Sequence, residues 1–397
     1  MKKILILMSD TGGGHRAVAH AIRDAIAIRF PDQAQVEIVD GLREYTPAPF
    51  KYAPEMYPIW IAHGKATWRL SFYMTNSKLS AQSVNRTAYL TLERYFKQML
   101  RDHEADVIVS VHLLLISPVM DALLSFKDRP PFVTVVTDLA STHLFWYDPR
   151  VDRLLVPTPP TFERGLEVGI SPELMRVTGL PVSPSFADLL VPQAEARQKL
   201  GWLTDKLTVL MLGGGEGMGP LYRMARAIND QQLDIQLVVV AGKNKSLKHK
   251  LESVAWDQPT WIYPFTREMP LLMSAADMIV TKAGAASISE AITAGLPLII
   301  SDVIPGQETG NMQYIVQNGA GAYPGSPEEV GRTVAKWVAE GRDKLRERAE
   351  AARRIAVPDA AYVVADEIMQ QAQRERIPTQ RRNLLQTLGN LRHHLIP

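Results

Sequence analysis

Lys282-Ala283-Gly284-Ala285-Ala286-Ser287-Ile288-Ser289-Glu290, followed by Pro305-Gly306-Gln307-Glu308-Thr309-Gly310-Asn311, sets two polar clusters at the ends of successive buried strands. The run Met278 to Val280 predicts the first strand, and the small-residue turn after it opens a helix whose leading N–H groups are free to face an anion. Glu290 lies one to two turns into that helix. The second strand, Leu298 to Ser301, delivers the Gln/Glu/Asn run, whose donors and acceptors can read sugar hydroxyls. Polar loops at the ends of neighbouring buried strands are how an open α/β sheet builds a ligand site, and this one suits a nucleotide diphosphate.

The same alternation extends through the chain. Leu207 to Leu212, Leu237 to Val240 and Trp261 to Tyr263 are further apolar strands upstream. The first half opens with Ile4 to Met8, a glycine loop at Gly12-Gly13-Gly14 and a helical segment from Ala17 to Ile28. Strands then follow at Val36 to Val39, Val107 to Val109, Phe132 to Val136 and Leu154 to Val156, with a long helix from Ser80 into Leu100. Near-continuous apolar strands separated by helices indicate parallel sheets covered on both faces, so the fold class is α/β, with two doubly wound domains. From Tyr45 to Met74 the pattern loosens into proline, aromatic and basic residues. Regularity also stops near Pro181-Val182-Ser183-Pro184. The expected division is residues 1–183, a linker at 184–204, a second domain at 205–357, and a C-terminal helix and basic tail at 358–397 carrying Arg374, Arg376, Arg381, Arg382 and Arg392.

The chain has 397 residues, 46% of them hydrophobic, enough for two cores. It contains no cysteine, which excludes disulfides and thiolate chemistry. With 44 basic against 42 acidic residues, the net charge of +2 does not advertise nucleic-acid binding. The opening apolar run is too short for a signal-peptide core, and no segment is long enough to cross a bilayer. No dense Asp/Glu/His cluster calls for a metal.

Five stretches in this order are together specific: Ser9-Asp10-Thr11-Gly12-Gly13-Gly14-His15; Thr137-Asp138-Leu139 with His143 and Trp146; Phe265-Thr266-Arg267-Glu268-Met269; Lys282 to Glu290; and Pro305 to Asn311. They resemble the glycosyltransferase family that contains monogalactosyldiacylglycerol synthases and processive diacylglycerol glucosyltransferases, within the family 28 glycosyltransferases. The likeness covers nearly the whole chain. It implies a GT-B-like fold, two Rossmann-like domains facing a cleft. It further implies a UDP-hexose donor held mainly by the second domain, a lipid acceptor such as diacylglycerol handled by the first, and inversion at the anomeric carbon. A C-terminal helix returning to the first domain is also implied. No cofactor beyond the donor substrate is expected.

The residues themselves suggest roles. His15 follows three glycines at a helix start, where the positive helix end disfavours imidazolium and leaves a neutral nitrogen as a base for the acceptor hydroxyl. Asp138 is expected to orient His15 or hold that hydroxyl, with Gly14, His112, His143 and Trp146 on the acceptor side and the last two lining its entrance. Gly213-Gly214-Gly215-Glu216-Gly217-Met218-Gly219 fails the dinucleotide fingerprint on spacing. Gly214 and Gly215 instead suit backbone contact with a diphosphate, together with Gly284, Ala285, Ala286 and added charge from Lys282. Phe265 and Thr266 fall where a backbone segment can meet a uracil edge. Glu290 is the candidate ribose ligand, Gln307 and Glu308 the sugar-orienting pair, and Asn311 a support for the turn or the donor phosphate.

Peripheral attachment to an anionic membrane surface, at its cytoplasmic face, is expected through Phe50 to Arg86. Trp60, Trp68, Phe72 and Tyr73 would supply apolar surface there, and Lys65, Arg69, Lys78 and Arg86 the charge. Two alternatives remain open at this level: a UDP-sugar epimerase, and a catalytically silent nucleotide-sugar-binding scaffold.

Overall fold

Fourteen strands are distributed over the described residues of the computed structural model, which are 1–379 apart from Gly12 and Met218. Tail residues Arg381, Arg382 and Arg392 lie outside them. The first half contributes β1 (Lys2–Met8), β2 (Ala34–Asp40), β3 (Val107–Ser110), β4 (Asp128–Arg129), β5 (Phe132–Val135), β6 (Arg153–Val156) and β7 (Met175–Val177). All but β4 form one parallel sheet in the order β2-β1-β3-β5-β6-β7. The second half contributes β8 (Leu207–Leu212), β9 (Ile235–Val240), β10 (Thr260–Tyr263), β11 (Met278–Thr281), β12 (Leu298–Ile300) and β13 (Gly321–Ala322), also parallel, in the order β10-β9-β8-β11-β12-β13. In each sheet the order reverses beside the first strand, which opens a crevice above the strand ends. The loops after β1 and β3 flank the first crevice, and those after β8 and β11 flank the second.

Central strands are apolar on both faces because helices cover both. Ile4, Leu5, Ile6 and Leu7 are at most 1% exposed, as are Val209, Leu210 and Met211. The edge strands β7 and β13, which periodicity does not reveal, are two or three residues long and carry little apolar signal.

Helix α1 (Gly14–Arg29) follows β1, and α2 (Ala53–His63), α3 (Lys65–Thr75) and α4 (Lys78–Asp102) lie between β2 and β3. The stretch that reads as irregular is therefore helical. Its apolar residues point both inward and outward, which blurs the 3.6-residue period. Ser77 caps α4 in a reciprocal box with Ser80.

The helix Ala360–Ala372 packs against α1, and its Glu367, 4% exposed, takes Arg153 Nε at 2.6 Å and is also paired with Arg176. Beyond it, β14 (Ile377–Pro378) pairs antiparallel with β4, and Arg376 binds Asp128 at 2.6 Å. Arg376 is thus spent on the first domain rather than on an external anion. Among the described residues no helix is long and apolar enough to cross a membrane.

Candidate functional site

The first crevice holds His15, the second residue of α1. Its Nδ1 lies 2.8 Å from the Val111 carbonyl, an obligate acceptor, so Nδ1 carries the proton and Nε2 keeps its lone pair. The Thr137 hydroxyl is 2.9 Å from the same nitrogen. Burial pulls the imidazole down to about 4, partly opposed by the Val111 carbonyl and by Asp10. His112 packs beside it, its ring tilted by 59° with centroids 4.5 Å apart. That ring accepts Leu114 N–H at Nδ1 (3.3 Å) and meets Thr11 Oγ1 from Nε2 (2.9 Å), and burial lowers its basicity too. A side chain on Gly14 would meet open space, so a ligand can approach there.

Asp138 is 8% exposed and accepts the Trp146 indole N–H at 2.7 Å and a bond from Gln307. Desolvation drives its carboxyl up to about 6 despite these donors. It does not orient His15, contrary to one expectation, because Val111 and Thr137 already do. Trp146 is fully buried and cannot form an entrance; it fixes Asp138 from below, 6.3 Å from the His15 ring. His143 is likewise enclosed, accepting Phe145 N–H at Nδ1 (3.1 Å) and meeting Thr75 Oγ1 at 3.0 Å. Burial lowers it to about 4.

In the second crevice Lys282 lies between two glycine turns. Hypothetical Cβ atoms on Gly214 and Gly284 would fall 3.5 and 3.3 Å from its Cε, and its Nζ is 3.3 Å from Glu308 Oε1. The helix Ala285–Thr293 starts at Gly284 without a side-chain cap, so the first-turn N–H groups of Ala285 and Ala286 are free. The carboxyl of Glu290, half-buried in this helix, has no hydrogen-bond or ionic partner among the described residues, and burial lifts it to about 7. Phe265 is 52% exposed beside Gly215, and the Thr266 hydroxyl accepts Glu268 N–H at 3.0 Å. Glu308 is buried, its Oε2 taking Ile304 N–H at 2.9 Å, so it braces the loop and Lys282. Asn311 spends its amide on Ala140 N–H and the Ala283 carbonyl, both at 3.0 Å, which leaves it a support for the turn and not a phosphate ligand.

These bonds also join the domains. Ser141 Oγ donates to the Gln307 carbonyl (2.7 Å) and accepts Gly310 N–H (3.0 Å), and Tyr57 donates to Gln307 Oε1 at 2.9 Å. Lys65 pairs with Asp302 at 2.7 Å. It is therefore a cleft residue, not a headgroup ligand. Phe72 also turns inward, 9% exposed, onto Gly306, and the Trp68 indole nitrogen is buried. Sequence reasoning missed Tyr57, Ser141 and Thr137 because single polar residues in loops or irregular segments carry no periodic signal. Among the described residues no group of three or more His, Asp or Glu side chains is placed to hold a metal.

Residues 15–182 match the family model for monogalactosyldiacylglycerol synthase, and residues 208–364 match the glycosyltransferase family 28 C-terminal domain. The chain is 39% identical to a probable monogalactosyldiacylglycerol synthase from Nicotiana tabacum, covering 92% of this chain and 70% of the relative. It is 38% identical, over the same shares, to monogalactosyldiacylglycerol synthase 1 from Arabidopsis thaliana. Its fold is similar to that of MurG from Acinetobacter baumannii (TM-score 0.62, 16% identity, 93% of this chain and 100% of that one). A putative UDP-N-acetylglucosamine 2-epimerase from Listeria monocytogenes is similar as well (TM-score 0.63, 14% identity, 95% and 98%). At such identities the last two establish only the shared two-domain GT-B-like fold, whereas the matches to the synthases extend through both domains: the chain belongs to the monogalactosyldiacylglycerol synthase family of family 28 glycosyltransferases.

Proposed function

We propose that His15 is the base of a direct transfer in which a hexose passes from a UDP-sugar to the hydroxyl of diacylglycerol. The chain is an inverting, UDP-sugar-dependent hexosyltransferase. In the proposed step the acceptor oxygen attacks the anomeric carbon as the bond to the diphosphate breaks, the hydroxyl proton moves to His15 Nε2, and UDP leaves. The observation that carries this reading is the fixed tautomer of His15, with Nδ1 held by Val111 and Nε2 unprotonated in the cleft. An imidazole held near 4 is a weak base, and the negative diphosphate entering the cleft favours its protonated form as the proton arrives.

On the donor side, Lys282, the free N–H groups of Ala285 and Ala286, and the turns at Gly214, Gly215 and Gly284 hold the diphosphate and stabilise the departing charge. Glu290 accepts from the ribose hydroxyls, Phe265 and Thr266 meet the uracil, and Gln307 reads the hexose with Glu308 bracing its loop. Asp138 holds Gln307, while His112 and His143 shape the acceptor wall beside Gly14. Residues 1–183 form the acceptor domain and 205–357 the donor domain, joined through 184–204, with the chain from residue 358 to 379 returning to the first; residues 380–397 of the expected tail lie outside the described residues.

The enzyme works at a membrane surface, since its acceptor is a lipid. Nearly half of the exposed large hydrophobic side chains among the described residues lie between Phe50 and Leu90, including Met56, Ile59, Leu70, Met74 and Leu79. Arg69, Lys78 and Arg86 lie in the same segment. This supports docking of α2 to α4 on an anionic bilayer; its assignment to the cytoplasmic face is part of the same proposal.

Radiolabelled UDP-galactose and UDP-glucose, each with and without diacylglycerol vesicles, test the reaction. Lipid-dependent product is expected, and His15→Ala should slow the chemical step roughly 100- to 10,000-fold while UDP binding holds. Epimerised sugar formed without lipid, or unchanged turnover in the variant, would overturn it.

A further inference from the structure

Tyr57 is contributed by α2, the first of the helices with the exposed apolar faces, yet its hydroxyl points away from them. It donates to Gln307 Oε1 across the domain boundary at 2.9 Å. The other end of the same amide donates to Asp138. Gln307 is thus held between two groups of the opposite domain, and the phenol lies close enough to Glu308 and Asp138 for both carboxylates to oppose its ionisation. The Tyr57 ring is fixed in turn by edge-on packing against Trp68, with centroids 5.2 Å apart. A planar amide pinned at both ends presents its remaining lone pair and N–H in one direction only. A glutamine left free on its own loop would sample several rotamers before meeting a sugar.

We propose that Tyr57 is a positioning residue for donor-sugar recognition: by holding the Gln307 amide against Asp138 it sets the direction in which the hexose hydroxyls are read. The inference rests on the assignment of Gln307 to the hexose. Its consequence is that the donor pocket is completed by a helix of the acceptor domain, so UDP and the sugar are recognised by different sets of elements. UDP needs only elements of the donor domain: the turns around Lys282, the Phe265-Thr266 segment and Glu290. The hexose needs α2 in place.

Tyr57→Phe keeps the ring and its packing and removes only the hydroxyl. With acceptor vesicles saturating, the KM for UDP-hexose should rise about three- to tenfold, the worth of one neutral hydrogen bond. The calorimetric Kd for UDP alone should stay within twofold, and preference between UDP-galactose and UDP-glucose should narrow. Gln307→Leu should raise the donor KM at least as far, and adding Tyr57→Phe to it should change nothing more. An unaltered donor KM in Tyr57→Phe overturns the proposal, as does an equal weakening of UDP and UDP-hexose, or an additive effect in the double variant. A Gln307→Leu enzyme with wild-type donor KM overturns instead the assignment of Gln307 on which the proposal stands, and it does so without reference to Tyr57.

Discussion

Replacing Glu290 by glutamine should move stability and donor binding in opposite directions. Burial lifts this carboxyl from its ordinary 4.5 to about 7. Between those values the folded chain holds a proton that the unfolded chain has lost, so stability falls as pH rises through this window. Keeping the group ionised above pH 7 costs at most roughly 3 kcal/mol, less whatever water reaching the half-buried side chain recovers. Glutamine removes that cost. The ligand-free variant should therefore denature later than wild type, by a margin that widens from pH 5 to pH 8 in thermal melts. UDP binding should show the reverse. On the proposed assignment the ribose hydroxyls donate to an ionised carboxylate, so wild-type affinity should rise with pH through about 7 while the variant stays flat. A hydrogen bond to a charged acceptor contributes about 1.5–3 kcal/mol, which predicts a loss of roughly 10- to 150-fold in calorimetric affinity at pH 8. Parallel pH profiles for the two proteins, or equal UDP affinity, would refute the assignment.

Asp138, lifted to about 6, accepts from Trp146 and Gln307 as a carboxylate, so activity should be lost as pH falls through about 6; in Asp138→Asn that acidic limb should vanish from a lower plateau in the kcat/KM profile. Gly310→Val places a Cβ 2.7 Å from the Ser141 backbone nitrogen, so the domains must part, which small-angle scattering should record as a larger radius of gyration together with lost transfer. Leu79→Asp, at a side chain 80% exposed, should reduce flotation with anionic vesicles while leaving turnover on a short-chain, water-soluble acceptor intact. Equal flotation would move the docking face elsewhere.

Strand positions in the interior of both sheets were legible because residues buried on two faces form unbroken apolar runs, and the helix Ala285–Thr293 was legible from its small-residue start. The site was legible where a residue's role depends on local chain geometry. The placement of His15 at a helix start is an example, since a glycine turn and a helix start are properties of neighbouring residues, while its role as base is the proposal made above. Roles set by distant partners were not. Trp146 reads as lining the acceptor entrance, and only the fold that buries it brings its indole to Asp138. Lys65 reads as one of several basic residues in an aromatic segment, yet Asp302, 237 positions away, decides its use. Asn311 looked fit for a phosphate until Ala140 and Ala283 claimed its amide.

The bonds that close the cleft differ in kind. Lys65 and Asp302 are 43% and 34% exposed, and such a pair contributes no more than about 1 kcal/mol and weakens with salt. Asn311 is 1% exposed, and breaking its bond to Ala140 would strand a buried amide at a cost of about 1–3 kcal/mol. Ser141 adds two more neutral bonds from the same strand-end loop. The arrangement is thus held mainly by uncharged groups that salt does not screen, whereas the proposed attachment of Arg69, Lys78 and Arg86 to anionic lipid is of the kind that salt screens strongly. On that proposal ionic strength should separate two events that the same helices serve: raising it is expected to release the enzyme from the bilayer while leaving the donor pocket assembled. Because the donor is water-soluble and the acceptor is not, a pocket that survives release lets the protein reach the membrane already carrying its sugar.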